Sequence, residues 1–467
     1  MIVMHVVSRF SAWLTRRERM ALLVLLGAAF ILRIGVIGAL HATDPALLTS
    51  RGSDVQGFFD TAEGLITHGA YVRVQSPDVP EVFRPPGYPL FLALFFLLFS
   101  DPVLPIVLVQ AVVSVATAWF IYRIARQVWN VPAGFFAAVL FSLDFLIIYY
   151  AAVTLSETLF LFFLVVSLWF GVQALHDPVP RRLAGLGIAL AATALVRPVA
   201  LYLGIPVTLF FCVLWLARRM PARTMIKHAL FLFVPWLVLT QAWSLRNLHA
   251  TDAYVFSNSA GILFECQVEG ILAQVRGVPF NDTREDTVAL LPPDLEERPV
   301  REQEEIFMAM TKKTMREYPG AYAASALRGM ALTLFLPGEP LFHAASWETG
   351  NRQTGYRGLY TWENIVYYAH TYPERFLISL LVFFFLIGAY AAAAVGMHAA
   401  YMHYRSALPA ALFLLLVAAY FIAINTVAGC PGIHRYRLPV LPSVFVLAGA
   451  GIVALFERVQ KNHSKNV

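Results

Sequence analysis

The chain has 467 residues, of which 59% are hydrophobic and 14% charged, with a formal net charge of +6 and a mean hydropathy of +0.65. That balance excludes a soluble globule with a single anchor and implies a polytopic membrane protein. Nor does the positive charge signal nucleic acid, because the basic residues cluster at the ends of apolar runs, where membrane topology already requires them.

A helix needs roughly 20 apolar residues to cross the hydrocarbon layer. Open sheets are excluded there by their unpaired backbone groups. The expected fold is therefore an all-α bundle. Arg16-Arg17-Glu18-Arg19 precedes a first span at about 20 to 40, too long for a cleavable signal core, and holds the N-terminus in the cytoplasm. Residues 41–86 then form a first outer loop. The next apolar run, Gly87 to Ser100, is short for a crossing. If it spanned, Arg123 and Arg126, Arg181 and Arg182, and the cluster from Arg218 to Lys227 would all lie outside; if it dips and returns, all lie inside. The second reading is adopted.

Spans are expected next at about 103–124, 132–151, 155–175, 183–197, 199–216, 229–245, 376–400, 407–427 and 438–456. That gives about 10 to 11 transmembrane helices, with outer-face juxtamembrane helices beside them. Residues 246–375 form a large outer loop, helical in places, broken at Pro292-Pro293, with Ala324 to Leu336 lying flat at the interface. The transmembrane domain covers 1–456, followed by a cytoplasmic tail at 457–467. Cys212 reads as a packing residue inside a span, while Cys266 and Cys430 fall in outer loops and leave a disulfide open. The aromatics Trp347, Tyr356, Tyr360, Trp362, Tyr367 and Tyr368 read as an interface belt rather than a sugar platform.

This topology gathers Asp54, Arg84, Glu157, Arg197, Arg246 and Arg435 at one membrane face. Charges at that level are costly unless they pair, snorkel or line a watery cavity, so each is a candidate site residue. Asp54 is either a helix cap before Val55 to Ile66 or a base that takes a proton from an acceptor. Arg84 is held in extended backbone by Pro85-Pro86, and its planar fork suits phosphate. Glu157 is balanced between a first-turn carboxylate and a site residue. Arg197 precedes Pro198 at a turn, and Arg246 lies beside Trp243. Arg435 and Arg437 stand outside against the charge rule, with Tyr436 between them.

Asp54, Arg84-Pro85-Pro86-Gly87-Tyr88-Pro89, Leu155-Ser156-Glu157-Thr158-Leu159-Phe160, Val196-Arg197-Pro198, Ser244-Leu245-Arg246-Asn247 with Ser259-Ala260-Gly261, and Arg435-Tyr436-Arg437-Leu438-Pro439 follow in an order that resembles the ArnT/protein-mannosyltransferase-like branch of the GT-C membrane glycosyltransferases. The resemblance implies a multi-pass enzyme of the bacterial inner membrane, acting as a monomer at the outer face. It would move a sugar from a polyprenyl-phosphate donor to a lipid, polysaccharide or protein acceptor. Asp54 matches the aspartate that activates the acceptor, and Arg84, Arg246 and Arg435 match basic positions for the donor phosphate. Glu157, Arg197, Tyr88, Tyr436 and Arg437 are further cavity candidates. The residues leave open a divalent metal shared by Asp54 and Glu157. The competing class is a transporter or flippase of polyprenyl-linked or anionic lipid, which would want charges at the midplane and repeated discontinuous helices.

Overall fold

A computed structural model describes residues 12–49, 53–278, 280–337, 362–428 and 433–464. The chain divides into two compact units, the first comprising Met1–Ala242, Gly388–Ala419 and Leu438–Val467, the second Trp243–Ile387 and Tyr420–Arg437.

The first unit opens with α1 (Glu18–Thr43) and a short 3-10 turn (Pro45–Thr49). Next come α2 (Ser53–His68) and a two-stranded antiparallel hairpin of β1 (Val72–Arg73) and β2 (Ser76–Pro80). That hairpin was not anticipated; it is small enough to leave the all-α class intact. The short apolar run is indeed only a 12-residue helix, α3 (Gly87–Leu98). It is followed by α4 (Val103–Val128), α5 (Val131–Leu143), α6 (Phe145–Ala151), α7 (Glu157–His176) and α8 (Pro180–Val196). A 3-10 turn (Pro198–Leu203) runs into α9 (Gly204–Ala217), and the long α10 (Ala222–Thr251) follows.

Among the described residues, eight helices are long and apolar enough to cross a membrane, or nine if one bent pair counts as a span. The difference from the expected count lies in two elements. The run at 132–151 is two helices, α5 and α6, bent by 62°. Asp144 is the cause: its backbone is extended, and its Oδ1 caps α6 by accepting from the Ile147 N–H at 3.0 Å. Asp144 is fully buried, and so is Arg33 of α1, whose charge acts on it and whose Nε donates to Ser114 Oγ at 2.8 Å. A carboxylate in an apolar run is retained where a cation balances it. The run at 183–197 is the other element, since α8 has only 17 residues.

Packing within the first unit uses small side chains, as expected where lipid already solvates apolar surface. α5 turns Ala133, Ala137 and Ala138 inward, and α7 and α8 lie side by side. A cluster of Ile37, Leu48, Val107, Ala111 and Ala152 joins α1, the first 3-10 turn, α4 and the chain leaving α6. The Thr154 N–H donates to Leu48 O at 2.9 Å, tying the first loop to the start of α7.

In the second unit α11 (Ala260–Arg276) packs on α13 (Val300–Glu317) and α14 (Pro319–Phe335), with the short α12 (Arg284–Val288) between them in sequence. Then follow α15 (Trp362–Thr371), α16 (Pro373–Met402) and α17 (Leu408–Ala428), of which Gly388–Ala419 belongs to the first unit, and α18 (Leu441–Ser464), also of the first unit. Cys266 is disulfide-bonded and Cys212 carries a free thiol; Cys430, with which the sequence left a disulfide of Cys266 open, lies outside the described residues. Trp347, Tyr356 and Tyr360 lie outside them too, whereas Tyr368 is buried.

Candidate active site

Arg84 sits at the end of the first loop, only 7% exposed, and every group that fixes it is local. Its guanidinium lies 5.1 Å from the Phe83 ring centroid and 5.3 Å from that of Phe58 on α2. The Gly57 backbone approaches it so closely that a Cβ there would stand 2.1 Å from its Cζ, so a larger residue would displace the guanidinium. Glu81, which sequence reasoning missed, anchors the turn. Its Oε1 accepts from the Phe83 and Arg84 N–H groups at 2.7 and 3.2 Å, and its Oε2 lies 2.7 Å from Arg73 Nε and 3.6 Å from Arg84 Nη1. Two guanidiniums share this one carboxylate. Burial pushes the Arg84 pKa down from its usual value, Glu81 pushes it back up, and Asp54 in the first turn of α2 adds to that support. The Asp54 carboxylate thus acts on Arg84 through its charge. Among the described residues Arg84 Nη1 is buried with no hydrogen-bond acceptor, and Glu81 Oε2 at 3.6 Å is its ion-pair partner.

The helix that starts after Arg84-Pro85-Pro86 carries this corner to Glu157 and Arg197. Gly87 lies against the end of α8, where a Cβ would meet Leu195 O at 2.8 Å. Tyr88 packs edge-on against Phe58 at 5.0 Å, and its hydroxyl donates to Gln110 Oε1 at 2.9 Å; Gln110 Nε2 in turn donates to Val153 O at 2.7 Å. Glu157 begins α7, 2% exposed, and acts electrostatically on Tyr88. Arg197 follows the last turn of α8 and reaches Glu157 Oε1 at 2.5 Å and Ser156 Oγ at 3.2 Å. Five of the expected site residues, Asp54, Arg84, Tyr88, Glu157 and Arg197, thus meet at one end of the first unit. Gln110 and Glu81 complete the cluster. Sequence held one signal for Glu81, an acidic residue three positions before the arginine.

Glu157, for which the sequence left open a metal shared with Asp54, is engaged by Arg197, and among the described residues no group of three or more His, Cys, Asp or Glu gathers as a metal site.

Arg246, Arg435, Tyr436 and Arg437 belong to the second unit. The Arg246 guanidinium stacks 5.0 Å from the Trp243 ring and donates to Asn247 Oδ1 at 3.0 Å. Asn247 and Trp243 are themselves pinned to the carbonyls of Val255 and Phe256. Arg435 lies 6.0 Å from the Tyr436 ring, and Tyr436 O accepts from Asn425 Nδ2 at 3.0 Å. Arg437 is fully buried and binds the carbonyls of Leu336 and Pro337, at the C-terminal end of α14, where a cation suits the helix dipole.

Among curated proteins, no sequence matches the chain. Solved structures of the oligosaccharyltransferase of Archaeoglobus fulgidus do match in fold. The apo form shares 11% identity and a TM-score of 0.50 over 95% of this chain and 52% of the archaeal one. The form tethered by a disulfide to an acceptor peptide with the NVT sequon shares 12% identity and a TM-score of 0.51 over 97% and 51%. The chain thus spans about half the length of the enzyme it matches. Over residues 83–239, which contain Arg84, Tyr88, Glu157 and Arg197, it matches the family model described as dolichyl-phosphate-mannose-protein mannosyltransferase. The resemblance drawn from the motifs is borne out: the chain is all-α with several candidate membrane spans, its fold is similar to that of the archaeal oligosaccharyltransferase, a GT-C enzyme, and its residues 83–239 match the mannosyltransferase family model.

Proposed function

We propose that the chain is a glycosyltransferase that takes a sugar from a polyprenyl-phosphate-linked donor and passes it to a lipid, polysaccharide or protein acceptor at the outer face of the membrane. The observation that carries this reading is the buried Arg84 guanidinium, whose Nη1 has no hydrogen-bond acceptor among the described residues and which feels the charge of the Asp54 carboxylate. The acceptor's hydroxyl or amine attacks the anomeric carbon while the bond from that carbon to the phosphate oxygen breaks. The electron pair leaves on the phosphate. Asp54 orients the acceptor and takes its proton. Arg84 meets the charge growing on the phosphate, and because Glu81, Phe58 and Phe83 already hold it, little reorganisation is needed at that moment.

Arg197 is a second cation at this end, paired with Glu157; Arg246 and Arg435 are assigned to the donor phosphate on the strength of their motifs. Where a divalent ion takes part, Asp54 is the carboxylate this chain offers it, Glu157 being held by Arg197. The test is a titration of the purified protein with polyprenyl phosphate. A charge-assisted bond to a buried guanidinium contributes about 1.5–3 kcal/mol, so Arg84→Ala is expected to weaken binding roughly 10- to 100-fold. Unchanged affinity would remove Arg84 from the donor site.

A further inference from the structure

A second basic site lies at the other end of the first unit. α4 and α7 run parallel: Gln110 reaches Val153 O just before α7, while Gln127 accepts from Gln173 near the end of α7 at 2.6 Å. The 16 residues from Gln110 to Arg126 correspond to about 24 Å of helix. Around Arg126 a cavity of about 410 Å³ opens, lined by Arg123, Arg126, Gln127, Asn130 and Thr15 among others.

Its charges are not all spent. Glu18, in the first turn of α1, pairs with Arg126 at 2.9 Å, which brings the exposed Arg16, Arg17 and Arg19 to the same end of the unit. Arg123 makes no ion pair among the described residues, and its guanidinium is held 5.1 Å from the Trp119 ring. Stacking on an aromatic face orients the planar fork and leaves its N–H edge to a ligand. α1 and α4 are both candidate spans, and the cavity lies at their ends, so it stands at headgroup depth. Basic pockets between spanning helices at that depth suit phosphodiester headgroups.

We propose that this cavity binds the headgroup of an anionic phospholipid, with Arg123 as the phosphate ligand. The site is separate from the Asp54 and Arg84 corner and does not depend on the function assigned there.

The test uses the delipidated full-length protein and native mass spectrometry, with short-chain phosphatidylglycerol, short-chain phosphatidylcholine and inorganic phosphate as probes. Phosphatidylglycerol is expected to bind at least tenfold more tightly than phosphatidylcholine, and Arg123→Gln to reduce that preference to less than threefold. Trp119→Ala removes the stacking platform without changing charge and is expected to cut it severalfold; Arg16→Gln, outside the cavity lining, is expected to retain most of it. Equal binding of the two lipids, or a preference that survives Arg123→Gln, overturns the proposal. Displacement of phosphatidylglycerol by an equal concentration of inorganic phosphate overturns the lipid as the occupant.

Discussion

Glu81 accepts two backbone N–H groups and faces both Arg73 and Arg84, and these distances decide its role. The contacts to Phe83 N, Arg84 N and Arg73 Nε are hydrogen bonds of 2.7–3.2 Å, whereas Arg84 Nη1 is at 3.6 Å. Glu81 therefore shapes the turn more than it competes for the guanidinium. Glu81→Ala leaves two N–H groups short of an acceptor, a cost of about 1–3 kcal/mol each when buried. Thermal unfolding is expected at lower temperature, and polyprenyl-phosphate affinity is expected to fall roughly tenfold as Arg84 loses its place. Unchanged affinity would show that the turn holds without it. Asp54, Arg84, Glu157 and Arg197 were legible in the sequence because ionisable residues at the ends of apolar runs are few. Glu81 was not, since its value comes from a hairpin that folds it back between Arg73 and Arg84. Gln110 was hidden for another reason: it is a neutral residue within a span, and only the Tyr88 hydroxyl and the Val153 carbonyl reveal its use.

At the scale of elements, hydrophobic length located the spans and misjudged one break. The run from 132 to 151 is apolar throughout except for Asp144, and that single residue divides it. An aspartate followed by a fresh apolar stretch is a helix-start signal that hydrophobic length alone does not register. Arg33, its counter-charge, is far away in sequence, so the pair becomes visible only when α1 and α4–α6 are packed.

The packing of α11 on α13 carries a pH dependence. Glu304 accepts from the Ala260 N–H at 3.2 Å, and burial pushes its pKa up to about 7. The folded state thus binds this proton more tightly than the unfolded chain does. The resulting stabilisation is present in full below the ordinary carboxylate range and is lost as pH rises through about 7. Amides of α11 are expected to exchange faster at pH 8 than at pH 6 after correction for intrinsic rates, and Glu304→Gln is expected to remove the difference. A difference that persists in that variant would place its cause elsewhere.

For the whole molecule, composition was decisive for class, and the order of short motifs for fold. The comparison with the archaeal oligosaccharyltransferase agrees over 95% of the chain at 11% identity, so what is shared is architecture rather than sequence. The division into two units was not legible, because it runs through the helix Ala222–Thr251 and returns at Gly388, with no linker composition to mark it. Arg246 and Arg435 belong to the second unit, whereas the corner built from Asp54, Arg84, Glu157 and Arg197 is complete in contacts of the first. That corner is where the central claim can be tested. Cells lacking the chain, complemented with wild type or with Asp54→Asn, are compared by mass spectrometry of their glycolipids and glycoproteins, and the purified proteins are titrated with polyprenyl phosphate. Loss of the acceptor base is expected to cut transfer about 10²- to 10⁴-fold, so the sugar-bearing product seen with wild type should disappear while polyprenyl-phosphate affinity stays within about twofold. An unchanged glycoconjugate profile with Asp54→Asn would contradict the account.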